Sequence, residues 1–154
     1  MSTYKSTVLN GINAITSKIS TGLSAHTPTV REEYAPQDIS SPLNRIIITV
    51  GLKSIVSGIS ENLGYSGTVY GSQAPIRGRV GGVTYTVTVY IPYNQSGSKC
   101  RQLTCEIIDS VMQTDLPIVT VESSGMDYDR YAKCLCQHID FTVDYFISSN
   151  GGDE

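Results

Sequence analysis

The side chains best suited to chemistry in this 154-residue chain are four cysteines and two histidines. Cys134, Cys136 and His138 stand at i, i+2 and i+4, which puts all three on one face of a strand, and Cys100 and Cys105 sit in a helical stretch upstream. Brought together, these five would offer the thiolates and imidazole that zinc takes in tetrahedral sets. The spacing argues against it. The C-x-x-C knuckle of common zinc sites is missing, and alternate strand residues are rooted about 6.6 Å apart, so tetrahedral ligands would need inward-leaning rotamers. Small buried thiols beneath a helix are the expectation, with no metal and no cofactor. A Cys–His nucleophile pair on His138, or His26 with a loop serine, is equally unsupported: His26 precedes Thr27-Pro28 in a helix-ending loop, and His138 is centred in a strand.

The carboxylates and glycines add no catalytic site. Asp127-Tyr128-Asp129 lacks the other positions of a calcium loop, and Asp140 and Asp144 alternate as acidic residues do on a wetted strand face. Gly78, Gly81 and Gly82 are not followed by the helix that a phosphate-binding loop needs. No catalytic residue is expected, and the chain reads as a non-enzyme.

Ten tyrosines, beside two phenylalanines and no tryptophan, point to contacts with other proteins instead. A tyrosine ring buries area while its hydroxyl stays hydrogen-bonded, a combination suited to interfaces. Tyr65, Tyr70, Tyr90 and Tyr93 flank a glycine-rich segment and the clearest strand, so they are the candidate interface, together with Arg77, Arg79, Asp140 and Asp144 as its charged members. Arg77-Gly78-Arg79 is too thin a footprint for duplex recognition, leaving at most non-specific contact with nucleic acid passing through an assembly.

Charge is scarce, 16% of residues, and unevenly placed. Residues 1–101 hold nine basic and four acidic side chains, net +5, and residues 102–154 hold two basic and ten acidic, net −8. If the fold keeps these halves on different surfaces, copies attract one another head to tail. No window has the roughly 18 apolar residues of a membrane span, and the start reads as lacking a secretory leader.

These residues are positioned by one domain covering 1–154. Val8, Ile12, Ile15 and Ile19 recur at spacings of four, three and four, predicting a helix over 7–23. A polar connector follows, with a short strand around Val30 to Tyr34 and prolines at 36 and 42. Arg45 to Val50 is β-branched and reads as a covered strand, whereas 51–59 fits either helical turns or an extended chain. Residues 62–79, with four glycines and a proline, read as a loop around a short strand at 68–70, and Gly81-Gly82 as a turn. From Val83 to Ile91, alternation of Val, Tyr and Ile with Thr and Tyr predicts a strand with one buried face. Residues 99–112 form a second helix and Ile118–Val121 a short strand. Tyr131 to Ile147 alternates over a length of about 56 Å, more than a small sheet is expected to pair, so a bulge or bend is expected within it. The fold class is α+β: a single-layer mixed, mainly antiparallel sheet packed by two helices, with an extended loop region and a long C-terminal strand.

This order of elements, with Pro42-x-x-Arg-Ile-Ile-Ile-Thr-Val50, Val69-Tyr70, Val83-x-Tyr-x-Val-x-Val89 and Phe141-x-Val143, resembles bacteriophage tail-terminator or tail-completion proteins. The resemblance is one of layout over most of the chain, and the 52–79 region departs from the shortest members. It implies a structural subunit without catalytic residues that assembles as a homo-oligomeric ring, usually a hexamer, on the tail tube protein. Such a ring joins the tail to a head or neck connector protein. It also implies a place in the virion, after assembly in the host cytoplasm. A neck connector, tube or baseplate subunit is the nearest alternative, and a small Cys/His metal-binding enzyme or module a more distant one.

Overall fold

The computed structural model describes residues 4–33, 43–58, 65–68 and 75–148. Helix α1 spans Tyr4–Gly22 and buries Val8, Ile15 and Ile19, so the apolar stripe is the face that packs. Glycine inside it costs about 1 kcal/mol of helix propensity. Close approach explains Gly11, because a Cβ there would lie 2.0 Å from the Tyr85 hydroxyl oxygen. A single 3-10 turn, Ser24–His26, ends the segment, with Thr27 in the left-handed region at φ 49°.

Among the described residues seven strands follow: β1 Thr29–Glu32, β2 Ile47–Gly58, β3 Tyr65–Thr68, β4 Pro75–Pro92, and, after helix α2 at Gly97–Val111, β5 Ile118–Ser123, β6 Asp127–Asp129 and β7 Cys134–Ser148. They form one sheet in the order β1-β2-β4-β7-β5, with β3 added to β4 and β6 to β7. Only β1–β2 is parallel. The expected α+β class, with a mainly antiparallel sheet and two helices, is the observed one.

Both helices lie on one face. Val83, Tyr85, Val87, Val89 and Ile91 of β4 and Ile139, Phe141 and Val143 of β7 are fully buried there with Ile15 and Ile19 of α1 and Leu103, Ile107 and Val111 of α2. The Tyr85 hydroxyl, sunk in this core, is 2.9 Å from that of Tyr145, and burial pushes its pKa far up, keeping it neutral. Helix α2 starts where Ser96 caps it, its hydroxyl accepting from the Lys99 amide at 3.3 Å.

Four expectations change. Gly81-Gly82 is not a turn but the interior of β4, paired on both sides with Ser57 and Val56 and with Tyr145 and Asp144. Its lack of a side chain serves packing, since a Cβ on Gly81 would meet the Tyr4 hydroxyl at 2.8 Å. The glycine-rich region is partly strand: β3 lies at 65–68 rather than 68–70, and β4 begins at Pro75. The long last strand carries no bulge against β4, with which it pairs in unbroken register from Gly78↔Ser148 to Pro92↔Cys134. An 18-residue β4 supplies the partner that a small sheet was expected to lack. That strand also starts later than expected, because residues 130–133 form a turn that lets β6 pair back onto Cys134 to Cys136.

Candidate assembly surface

The thiols are dispersed rather than converged. Cys100 is buried under α2 and contacts Gln137, Cys105 is exposed, and Cys134 is buried on the opposite face with Leu43 and Ile47. Burial, with the Asp129 carboxylate nearby, pushes the Cys134 thiol up to about 11, and burial likewise raises Cys100 and Cys136. A thiol so shifted is mostly protonated at neutral pH and a poor nucleophile. Among the described residues, no three of His, Cys, Asp and Glu gather closely enough to hold a metal ion.

Both histidines serve as connectors. Lys99 Nζ donates to His26 Nδ1 at 2.7 Å, so Nε2 carries the ring hydrogen and donates to Glu106 Oε2 at 2.7 Å. Gln102 donates to the other Glu106 oxygen at 2.8 Å. Glu106 is held below its ordinary pKa first by Gln102 and then by His26. This chain ties the turn after α1 to α2. His138 Nδ1 bonds the Thr88 hydroxyl at 2.8 Å, a hydroxyl sealed from solvent at 1% exposure, and neither ring is bonded to a cysteine.

Seven of the eight residues picked from sequence fall into three places. Tyr65 lies opposite Arg77 in the β3–β4 ladder, and Arg79 lies opposite Ile147; Tyr70 lies outside the described residues. Tyr93 stands sixteen residues from Arg77 along the chain that forms β4, a path of about 50 Å at 3.3 Å per residue. The tyrosines are therefore divided between the two ends of β4. At the far end, half-buried Tyr90 packs on Leu43, Ile47 and Cys134. Exposed Tyr93 has its ring centroid 4.8 Å from that of Tyr128 on β6, tilted by 57°. Tyr128 escaped the sequence reading because β6 is three residues long and has no periodicity. These two rings, with Leu43, Asn44, Pro92 and Lys133, line a cleft of about 470 Å³. Asp140 is in an ion pair with Lys53, and exposed Asp144 is opposite Gly82.

The open edges of the sheet were missed altogether. Strand β1 pairs with Ile47–Val50 of β2 and Glu33 lies against Gly51, so among the described residues only 52–58 has no strand partner on its outer side. That stretch exposes Leu52 by 40%, Ile55 by 46% and Val56 by 66%. The opposite edge is β5, where Val119 is 54% exposed. In the sheet order, the boundary between β4 and β7 also divides the net +5 and net −8 parts of the chain. On the strands themselves, β1, β2 and β4 carry Arg31, Lys53, Arg77 and Arg79 against Glu32, and β5, β6 and β7 carry Glu122, Asp127, Asp129, Asp140 and Asp144 with no lysine or arginine.

No family model matches the chain, and no curated protein matches it. Among solved structures it is similar to the sheath/tube terminator of an extracellular contractile injection system, PVC, in the extended state, with a TM-score of 0.43 and 10% identity. The match covers 90% of this chain but 58% of that one. No described helix is long and apolar enough to cross a membrane.

Proposed function

We propose that the protein is a non-enzymatic structural subunit that assembles with copies of itself into a ring, a hexamer, capping a phage tail tube and joining it to the head or neck connector. The observation carrying this reading is the polarised sheet: one open edge in the basic part of the chain, the other in the acidic part. Unlike edges on opposite sides make a heterologous contact, and heterologous contacts that close generate rings. The order of elements in the sequence, which resembles that of tail-terminator proteins, supports putting the ring in the virion between tube and neck. DNA passing through the lumen would meet the arginines at positions 77 and 79 only non-specifically.

Light scattering of the purified protein, followed by co-sedimentation with purified tail tubes and connectors, tests this. The expected result is a six-copy particle that binds tube ends. A monomer that binds neither tubes nor connectors overturns it. Imaging of the assembled particle separates a terminator from a neck, tube or baseplate subunit by where the ring sits.

A further inference from the structure

The register of the sheet narrows the contact to particular residues, on the ring reading given above. Following the cross-strand partners from 51–58 of β2 through β4 and β7 to β5 gives four rows. Ile55 pairs with Val83, Val83 with Val143 and Val143 with Ile118. Leu52 pairs with Tyr85, Tyr85 with Phe141 and Phe141 with Val121. Ser54 pairs with Thr84, Thr84 with Thr142 and Thr142 with Thr120. Two rows are apolar from end to end, one is hydroxyl-bearing from end to end, and the fourth runs from Gly51, against which the Glu33 side chain lies, through Thr86 and Asp140 to Glu122. The three rows that start on Leu52, Ser54 and Ile55 begin and end on like chemistry.

Strand direction agrees with this. Three antiparallel steps separate β2 from β5, so the two edge strands run in opposite senses. A second copy set alongside, keeping its orientation apart from the turn between ring neighbours, presents β5 antiparallel to the open part of β2. Antiparallel pairing is the slightly stronger mode per residue. The irregularities coincide as well: the extra residue in β2 is Lys53, between the rows of Tyr85 and Thr84, and that in β5 is Val119, between the rows of Thr84 and Val83. Bulges blunt an edge against unselected partners, and here both stand at nearly the same level.

We infer that the 52–58 edge of β2 takes β5 of a second copy of this chain, continuing the sheet from subunit to subunit. In the level register, Ile55 meets the neighbour's Ile118, Leu52 its Val121 and Ser54 its Thr120. The pairing covers Leu52 and Ile55, two of the three large apolar side chains left exposed on β2, and sets an edge from the basic part of one copy against an edge from the acidic part of the next.

The test uses two surface variants, each setting a charge against an apolar neighbour and like charges against one another when both spoiled edges meet: Ile55→Asp on the β2 edge and Val119→Asp on the β5 edge. Each alone is expected to fall from the wild-type mass to that of a monomer, with far-UV circular dichroism unchanged. Mixed one to one, they retain one good edge apiece and form a two-copy species that grows no further. As a second measurement independent of those substitutions, copies carrying Ser54→Cys and copies carrying Thr120→Cys, both in a Cys105→Ser background, are expected to cross-link on mild oxidation. A wild-type oligomer whose mass neither variant alters overturns the pairing and leaves the ring reading standing. A mixture that stays monomeric, or a wild type that is monomeric and yields no cross-link, also overturns the pairing, and tube binding then decides the ring reading by itself.

Discussion

The two faces of the sheet are made by the same strands and differ in almost everything else. On β4, Val83, Tyr85, Val87, Val89 and Ile91 face the helices and are fully buried, while Thr84 and Thr86, one residue out of phase, are half-buried on the other side. On β7, Ile139, Phe141 and Val143 face the helices, and His138, Asp140 and Thr142 face away. The second face is held by polar pairs: Thr84 with Thr142 at 3.2 Å, Thr88 with His138 at 2.8 Å, and Lys53 with Asp140. One face sets stability, and the other keeps its groups satisfied without committing much free energy. The contrast leaves the helix-free face and the edges as the surfaces available to neighbours.

The sharpest way to break this contrast is a pair of neighbouring truncations on β7. Phe141→Ala removes a fully buried ring and is expected to cost about 3–5 kcal/mol, as large-to-small core substitutions do. Thr142→Ala, one residue on, is expected to cost less than about 1 kcal/mol for a single partly exposed hydrogen bond. Urea unfolding of both measures the difference. Equal losses would mean that the helix-free face is as densely covered as the other.

Next in size is Gly11→Ala. Helix propensity alone favours the alanine by about 1 kcal/mol, but the new Cβ would sit 2.0 Å from the Tyr85 hydroxyl, which is itself wedged against Tyr145. Overpacking of this kind costs about 1–3 kcal/mol, so a net loss is expected. Adding Tyr85→Phe removes the obstructing oxygen and is expected to recover part of it in a double-mutant cycle. A stabilised single variant would place the α1–β4 contact looser than the geometry shows.

How much of this contrast was legible in the sequence depended on whether the signal was local. The strict alternation from Val83 to Ile91, and the spacing of Val8, Ile12, Ile15 and Ile19, report a buried face directly, and both elements stand where they were expected. The stretch after Val50 stayed ambiguous because the bulge at Lys53 breaks the period of two in mid-strand. Gly81-Gly82 reads as a turn from composition alone, since its true reason, room for Tyr4 against the middle of a strand, lies 77 residues away in the chain. The candidate assembly edges were the least legible part. An edge is defined by which strands fail to extend over it, and the like-ended rows appear only when three separate registers are read together.

A smaller effect separates two tyrosines of the same strand. Tyr85 faces the helices and Tyr90 the other side, and burial is the leading cause raising the pKa of each, by a large amount for Tyr85. A phenol whose folded pKa exceeds the unfolded value near 10 contributes stability below pH 10, which is lost as pH rises from there towards the folded pKa, because the unfolded chain gives up the proton first. Thermal melts between pH 9 and 11 are expected to show a decline that Tyr85→Phe flattens clearly and Tyr90→Phe flattens less. The reverse order would invert the assignment of the two faces.

The smallest effect is expected at Lys53, and its smallness is informative. Lys53 reaches across β4 to Asp140, and that bond with its attraction raises the lysine pKa, Glu122 adding to it. The pair looks like the strongest single interaction on the helix-free face. Its lysine side chain is nevertheless 57% exposed, so water and salt screen the attraction, and holding a long side chain in one pose offsets part of what remains. Lys53→Met and Asp140→Asn are therefore expected to shift Tm least of all the substitutions considered, with the shift vanishing as ionic strength rises. A large, salt-resistant loss from either would mean that the pair is shielded from solvent even in the single chain. The helix-free face would then be a second core, and the division of labour between the two faces would fail.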